Sequence, residues 1–266
     1  MNATGVSPVS GLKSRYEKKS EEGVPDHYSV FLYLFHLPFA VARSAANTSL
    51  FLHPVDSVKE IHNSSLSFIP TARALYDSLH LSMSGLSRQA FETAKKGFDR
   101  LVEQGRIMND SILAIADFSQ PSSRERLYIL DLKKHKLLFQ TLVAHGRNSG
   151  LAQANVFSNR PSSYMSSPGF YVTRNAYEGN NGYSLKLEGL ERGINDNAYE
   201  RALVIHGAPY VSQDFIRTRG FIGRSEGCPA VPLTEAMPII NTIKGGACLF
   251  IYSPNRSYLS HSDVLN

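Results

Sequence analysis

The fold of this chain depends most on four segments near its C-terminal end: ALVIHG (202–207), GRSEGCPAVP (223–232), LTEAMPIINTIK (233–244) and ACLFIY (247–252). The first and last are short apolar runs, which are typical of buried β-strands. The third predicts a helix from Leu233 to Lys244, because the glycine pair that follows is a natural helix stop. The segments therefore predict a strand, a loop that leads to Cys228, a helix and a further strand.

Upstream of these segments, the chain reads as a series of short strands separated by turn residues. Two apolar runs flank the polar turn Lys133–Lys136 and predict a β-hairpin. Because one good helix interrupts the series, the pattern indicates a mainly β (α+β) fold with a largely antiparallel, sandwich-like domain. The expected strands are Ile112–Phe118, Leu127–Leu132, Leu137–Ala144, Phe170–Thr173 and Ser184–Leu187.

Two long loops interrupt this domain. Residues 145–168 are rich in serine, and residues 207–228 join a strand end to Cys228. Long loops without secondary structure in a compact domain are usually functional or disordered. Both interpretations, a functional loop and a disordered one, therefore stay open for these two segments.

The N-terminal part predicts a leader. Tyr28–Ala42 is strongly apolar and uncharged, yet shorter than the roughly 20 residues of a membrane span. Small residues follow it at spacings typical of signal-peptide cleavage. Residues 1–46 are therefore interpreted as a leader with a signal peptide or an anchor, which predicts export to the periplasm or cell envelope. An uncleaved anchor and a buried helix are the alternatives.

The leader is followed by a linker and a small helical segment over residues 47–110. One helix is expected to start near Pro70 and a second to run from Ser87, a good N-cap, to Gln104. The catalytic domain would then span residues 111–253, with a tail at 254–266.

Composition excludes several classes of protein. The net charge is +5, and the sequence has no block of lysine and arginine residues, so nucleic-acid binding is not expected. Any association with a membrane is expected to be peripheral. The two cysteines are too few for a disulfide scaffold. No histidine or cysteine cluster has metal-ligand spacing, so we expect neither a metal nor another cofactor.

The pair His206 and Cys228 is the strongest candidate for chemistry. His206 ends an apolar strand, and Cys228 lies between a glycine and a proline just before the predicted helix at Leu233. A helix N-terminus and the nearby Arg224 would favour a thiolate. A thiolate, an imidazole and free backbone N–H groups are what acyl transfer needs. A structural histidine and a buried inert cysteine are the alternatives.

Residues 206–232 resemble the signature of the L,D-transpeptidases, the superfamily defined by the YkuD domain. His206-Gly207 followed by Gly223-Arg224-Ser225-Glu226-Gly227-Cys228-Pro229 is most similar to the branch called murein L,D-transpeptidase catalytic domain proteins. The resemblance covers about residues 110–253. Further similar passages are Val143–Gly146, Phe157–Asn159, Ser166–Tyr171, Tyr183–Leu187 and Gly189–Glu191.

The resemblance implies a role for each residue of the motif. Cys228 would be the nucleophile, and His206 its general base, oriented by the carbonyl of Gly207. The N–H groups of Gly227 and Cys228 would form an oxyanion hole. Ser225 would shape the loop or contact substrate. Apart from the resemblance, Arg224 has two interpretations, a ligand for a substrate carboxylate, which a planar guanidinium suits, and a solvated loop residue.

The resemblance also implies a substrate, the tetrapeptide stems of peptidoglycan. The enzyme would release terminal D-Ala and transfer the acyl group to an amine. Glu226 stands where the commoner pattern has a second histidine, and Pro229 also departs from that pattern, which leaves the acceptor open. The alternatives are an L,D-carboxypeptidase that uses water, a non-catalytic peptidoglycan-binding envelope protein and a cytosolic cysteine hydrolase.

Five other residues receive mainly structural interpretations. His145 also precedes a glycine at a strand end and is interpreted as structural, with a place in the cleft as the alternative. Cys248 lies in an apolar run and is expected in the core. Tyr171, Tyr183 and Tyr210 are expected to pack, with substrate contact as the minor alternative.

Overall fold

The computed structural model describes residues 71–266. The predicted leader, the linker and Pro70 lie outside these residues. Within them, no helix is long and apolar enough to cross a membrane.

Eight strands and five α-helices make up the described part of the chain. The helices are α1 (Ala72–Ser78), α2 (Arg88–Glu103), α3 (Gln213–Arg219), α4 (Leu233–Ile243) and α5 (Arg256–His261). The strands are β1 (Ile112–Asp117), β2 (Leu127–Asp131), β3 (Lys136–Thr141), β4 (Gly169–Gly179), β5 (Gly182–Gly189), β6 (Val204–Ala208), β7 (Ala230–Pro232) and β8 (Cys248–Tyr252).

All eight strands form one sheet in the order β3-β2-β1-β8-β4-β5-β6-β7. Most neighbours are antiparallel, whereas β1 pairs with β8 and β6 with β7 in parallel. Just after β3, Ala144 forms an isolated bridge to Ala230 in β7, so the two ends of the sheet meet. This closure encloses an apolar core. The sheet-dominated α+β class is confirmed.

The sheet buries apolar side chains on both faces. On one face, alternate residues of β1 and β8 pack with α1, α2 and α5. On the other face, the remaining residues of the same strands pack with β5, β6 and α4. This alternation follows from the two-residue period of a strand. Strands buried on both faces read as continuous apolar runs, as observed for β1 and β8.

Helix α2 lies directly on β4. A Cβ at Gly97 would come within 2.0 Å of the Phe170 ring, so this position requires glycine. The Phe170 ring in turn stacks on Phe250 of β8 at 4.2 Å between centroids. Ser87 caps α2 as predicted, since its Oγ accepts a hydrogen bond from Ala90 N.

Three elements were not expected from the sequence. Helix α3 lies within the segment 207–228 that was expected to be a loop, and the short strand β7 begins two residues after Cys228. Residues 254–266, interpreted as a tail, contain α5. Two oxygens of the buried Glu191 accept hydrogen bonds from Phe170 N, Ser262 Oγ and Tyr258 OH, which ties this C-terminal segment to β4.

Candidate active site

A cavity of about 660 Å³ lies at the edge of the sheet where β6 meets β7. It is formed by β6, the segment that leads to Cys228 and the serine-rich loop 145–168. The predicted residues His206, Cys228, Arg224 and Ser225 line it together. The other lining residues are Arg147, Ser162, Tyr164, Asn181, Arg201, Ala202, Leu203, Tyr210 and Glu226.

Strand register fixes the position of the histidine, and the turn before β7 fixes that of the cysteine. Ser184 in β5 pairs with His206 in β6, and His206 pairs with Ala230 in β7. Paired residues project to the same face of a sheet, and so do residues two apart in a strand. Cys228 lies two positions before Ala230, outside β7, in the turn that leads into this strand, and it lines the same cavity as His206.

The imidazole of His206 is held by its own neighbour. Its Nδ1 lies 3.0 Å from the carbonyl oxygen of Gly207, which can only accept a hydrogen bond. Nδ1 therefore carries the proton, and Nε2 is left as the acceptor. Burial lowers the pKa of His206 below its usual value of 6.5, so the ring is neutral at pH 7.

Cys228 is half-buried at the floor of the cavity. Burial raises the pKa of its thiol, while the backbone amides of Val204 and Cys228 and the guanidinium of Arg201 act in the opposite direction. The Sγ lies 3.9 Å from Ala202 O. Among the described residues, no hydrogen bond joins Sγ to the imidazole. The resting pair is therefore a neutral thiol and a neutral imidazole.

The expected help from a helix N-terminus is not found. Helix α4 begins at Leu233, and the whole of β7 separates it from Cys228. The field of a helix end falls off within its first turn. The groups that favour the thiolate are therefore backbone amides and Arg201.

Ser225 folds the turn that presents the cysteine. Its Oγ donates to Cys228 O at 2.6 Å and accepts from Gly227 N at 3.1 Å. The N–H of Gly227, expected in an oxyanion hole, is thus used by this turn, whereas the N–H of Cys228 interacts with its own thiol. Gly227 has φ +124° and a Cβ there would lie 2.8 Å from Met165 O, so the turn requires glycine.

Arg201 is a functional candidate that the sequence analysis missed. Its Nη1 donates to Ser158 O at 2.8 Å and to Ser167 Oγ at 2.6 Å. Its Nη2 donates to Met165 O at 2.5 Å. The half-buried guanidinium therefore ties the serine-rich loop to the floor of the cavity. No motif marks Arg201, although its position just before a buried strand that ends in His-Gly is a usable signal.

Arg224 and Glu226 contact the serine-rich loop from the other side. Arg224 Nη1 donates to the carbonyls of Arg147 and Gly150, at 3.0 and 3.1 Å. Glu226 forms an exposed ion pair with Arg147 at 3.3 Å, and the Arg147 guanidinium lies 4.0 Å from the centroid of the Tyr164 ring. Both residues therefore fasten the loop that forms the wall of the cavity.

His145 belongs to the core. Its Nδ1 lies 2.8 Å from Nη2 of the fully buried Arg126, and its Nε2 lies 3.2 Å from Gly150 O. Burial and the Arg126 charge lower the pKa of His145 to about 4, which keeps it neutral. Cys248 is also fully buried, and burial raises its pKa strongly. Both interpretations as core residues agree with these positions.

The three tyrosines lie in different surroundings. Tyr171 is buried and donates to Ser167 O at 2.9 Å, and Tyr183 donates to Asn241 Oδ1 at 2.9 Å. Tyr210 lines the cavity, and its pKa is raised to about 12 mainly by burial. Of the three, Tyr210 alone lines the cavity of Cys228. In residues 71–266, no group of three or more acidic, histidine or cysteine side chains is arranged to hold a metal ion.

Comparison with known proteins gives a family match. The model of the L,D-transpeptidase catalytic domain family matches residues 82–252, which is more than half of the chain. Comparison with curated proteins gives no match.

Solved structures with a similar fold include an L,D-transpeptidase from Mycobacterium smegmatis. It shares 11% identity with this chain at a TM-score of 0.34, over 54% of this chain and 59% of the other. An L,D-transpeptidase from Mycobacterium tuberculosis H37Rv shares 15% identity at a TM-score of 0.32, over 54% and 58%. The K307A mutant of the helical cell shape determining protein Pgp2 from Campylobacter jejuni shares 11% identity at a TM-score of 0.38, over 62% of this chain and 57% of the other. The matched region thus spans less than two thirds of each of these chains.

Proposed function

The chain belongs to the L,D-transpeptidase catalytic domain family, and we propose that it is a cysteine acyltransferase acting on the tetrapeptide stems of peptidoglycan. The observation that carries the proposal is that Cys228 and His206 line one cavity. The intact Gly207 and Gly227 beside them argue against a relict, non-catalytic site.

In the first half of the reaction, Sγ of Cys228 attacks the carbonyl carbon of the third stem residue. The thiol proton passes to Nε2 of His206, which is free because Nδ1 donates to Gly207 O. The bond to the terminal D-Ala then breaks, and the same proton is delivered to its leaving amine. A thioester on Cys228 remains.

In the second half, an acceptor resolves the thioester. An amine attacks the thioester carbon, passes its proton through His206 to the departing sulfur and regenerates the thiol. The carboxypeptidase alternative differs in one respect, because water then takes the place of the amine.

The oxyanion of each tetrahedral intermediate needs preorganised donors. The N–H of Cys228 is the best candidate for one of them. The N–H of Gly227 would serve as a second donor only after it leaves Ser225 Oγ, a change of partner that substrate binding would have to induce.

The test is incubation of purified protein with tetrapeptide-bearing muropeptides, followed by mass analysis of the products. Loss of D-Ala with a new crosslinked dimer supports the transpeptidase. Loss of D-Ala with a free tripeptide supports the carboxypeptidase. Binding without any product would favour a non-catalytic envelope protein.

We further propose that the protein acts outside the cytoplasm, since its substrate lies in the cell envelope. The apolar run 28–42 and the small residues after it support a cleaved signal peptide. N-terminal sequencing of protein from the envelope fraction should find a mature end near Arg43 or Asn47. Recovery of the full-length chain from the cytosol alone would contradict export and favour a cytosolic hydrolase.

A further inference from the structure

A second, smaller cavity adjoins the one that holds Cys228. It has a volume of about 210 Å³, and both cavities are lined by Ala202 and Leu203. Its remaining lining residues are Tyr177, Lys186, Leu187, Tyr199 and Val204. The reaction as described above uses none of these side chains.

Strand register connects this second cavity to the histidine. Tyr177 in β4 pairs with Ser184 in β5, and Ser184 pairs with His206 in β6. Lys186 pairs with Val204, two residues before His206. Because paired residues share a face, Tyr177, Lys186 and His206 all project from the cavity face of the sheet. Lys186 and His206 are diagonal neighbours, so their Cα atoms lie about 7–8 Å apart.

The backbone opposite Lys186 is irregular. The pairing of β4 with β5 shifts between Thr173 and Ala176, which leaves Arg174 and Asn175 opposite Lys186. Such bulges bend a strand and re-aim its side chains, and they are frequent beside active sites. The shift is what places Tyr177 on the face of Lys186.

The ammonium group of Lys186 lies between two tyrosines. Its Nζ is 5.4 Å from the ring centroid of Tyr177 and 5.6 Å from that of Tyr199. Both rings are open to solvent, with exposed fractions of 38% and 62%. Across residues 71–266, no carboxylate forms an ion pair with Lys186. A cation held over aromatic faces without an anionic partner is suited to receive an anion from outside the protein.

From this arrangement we infer that Lys186, Tyr177 and Tyr199 form a subsite for a carboxylate of the peptide substrate. The carboxylate belongs to the same stem whose peptide bond lies at Cys228, because Ala202 and Leu203 line both cavities. The tyrosine rings flank the peptide atoms next to that carboxylate. The inference rests on the proposed function, since it takes a stem peptide as the ligand.

A stem offers two kinds of carboxylate, one at its C-terminus and others on its side chains. The experiment therefore uses three ligands: the tetrapeptide stem, its C-terminal amide and a stem with amidated side-chain carboxylates. Binding is measured by titration calorimetry to the full chain carrying Cys228→Ala, which prevents turnover. Lys186→Met and Lys186→Arg are introduced in that background. Lys136→Met serves as the matched control, since Lys136 lies on β3 and lines neither cavity.

We expect Lys186→Met to weaken binding of the unmodified stem about tenfold, the size of one charge-assisted contact. Lys186→Arg and Lys136→Met should bind within about twofold of the parent. One of the two amidated ligands should bind the parent with the same reduced affinity that Lys186→Met shows for the unmodified stem. Lys186→Met should not weaken the binding of that amidated ligand any further. That ligand identifies which carboxylate is bound.

Equal affinity of the parent and Lys186→Met for the unmodified stem would overturn the subsite. So would a loss of the same size with all three ligands, because it would mean that charge is not recognised. Turnover of stems by the wild-type chain separates the two proposals. If the wild-type chain converts stems but Lys186→Met does not change the affinity for them, only the subsite is contradicted. If the wild-type chain neither binds nor converts stems, both proposals are contradicted.

Discussion

Two histidines of this chain, His145 and His206, are each followed by a glycine, and the chain also contains two cysteines, Cys228 and Cys248. In each pair, one residue lines a cavity and the other lies in the core. His206 and Cys228 line the cavity beside β6 and β7, whereas His145 and Cys248 are fully buried. The local sequences are similar, since both histidines end an apolar run. Their chemistry therefore depends on what the rest of the chain packs around them.

The partners of each histidine explain the difference. At His145 both ring nitrogens are used, one by Arg126 and the other by Gly150 O. At His206 the carbonyl of Gly207 holds one nitrogen and leaves the other free. A general base needs a free nitrogen with access to substrate, and His145 does not have one.

The largest difference is expected between the two cysteines. Cys228→Ser should lose both turnover and the covalent adduct with a carbapenem, because an unactivated serine is a far poorer nucleophile. Cys248→Ser should keep both and lose about 1–3 kcal/mol of stability, since its hydroxyl would be buried without a partner. Intact-protein mass, peptide mapping and thermal melting measure these effects. An adduct mapped to Cys248 would refute the site assignment.

Substitution of the two histidines should have different effects, on the acylation rate at His206 and on thermal stability at His145. His206→Ala should slow carbapenem acylation by about 10²- to 10⁴-fold with little change in melting temperature, as loss of a general base predicts. His145→Ala should instead lower the melting temperature, because it leaves a buried donor of Arg126 unpaired. Acylation kinetics and melting curves are measured on both variants. Near-normal acylation in His206→Ala would show that another group accepts the proton.

Arg201 should affect the cavity thiol and not the buried one. Its charge lowers the pKa of Cys228, so Arg201→Gln should raise that pKa and move the alkylation profile with iodoacetamide to higher pH. At a fixed pH below the pKa, the thiolate fraction and the alkylation rate fall about tenfold when the pKa rises by one. Arg201→Lys, which keeps the charge, is the control that separates electrostatics from loop anchoring. Profiles that coincide for wild type and Arg201→Gln would remove the electrostatic role.

The smallest effect is expected at Glu226. This side chain is exposed and pairs with Arg147 on the surface, where ion pairs contribute little. Glu226→Gln should therefore reduce kcat/KM for donor cleavage less than tenfold, or below about 1.4 kcal/mol of barrier. A thousandfold loss in that assay would mean that Glu226 contacts the reacting groups.

Sequence patterns predicted most of the fold because the spacing of apolar residues indicates which side chains are buried in a strand or helix. The apolar runs of β1, β2 and β8, the hairpin and the capped helix α2 all lie where period and turn residues placed them. The three elements that were missed have weak local signals. Strand β7 has three residues, α3 has no buried residue, and α5 is held by the long-range contact to Glu191.

The sequence by itself determined the family-like motif and hence the pairing of His206 with Cys228 as the candidate site. Only the tertiary structure decided which groups surround them. Arg201 lines the cavity of Cys228 and Lys186 lines the smaller one, because strand register and loop packing bring together residues distant in the chain. Likewise, Ser225 takes the N–H of Gly227 because of the φ of one turn. A motif specifies residue types and spacing, whereas pKa values and free hydrogen-bonding groups depend on three-dimensional contacts.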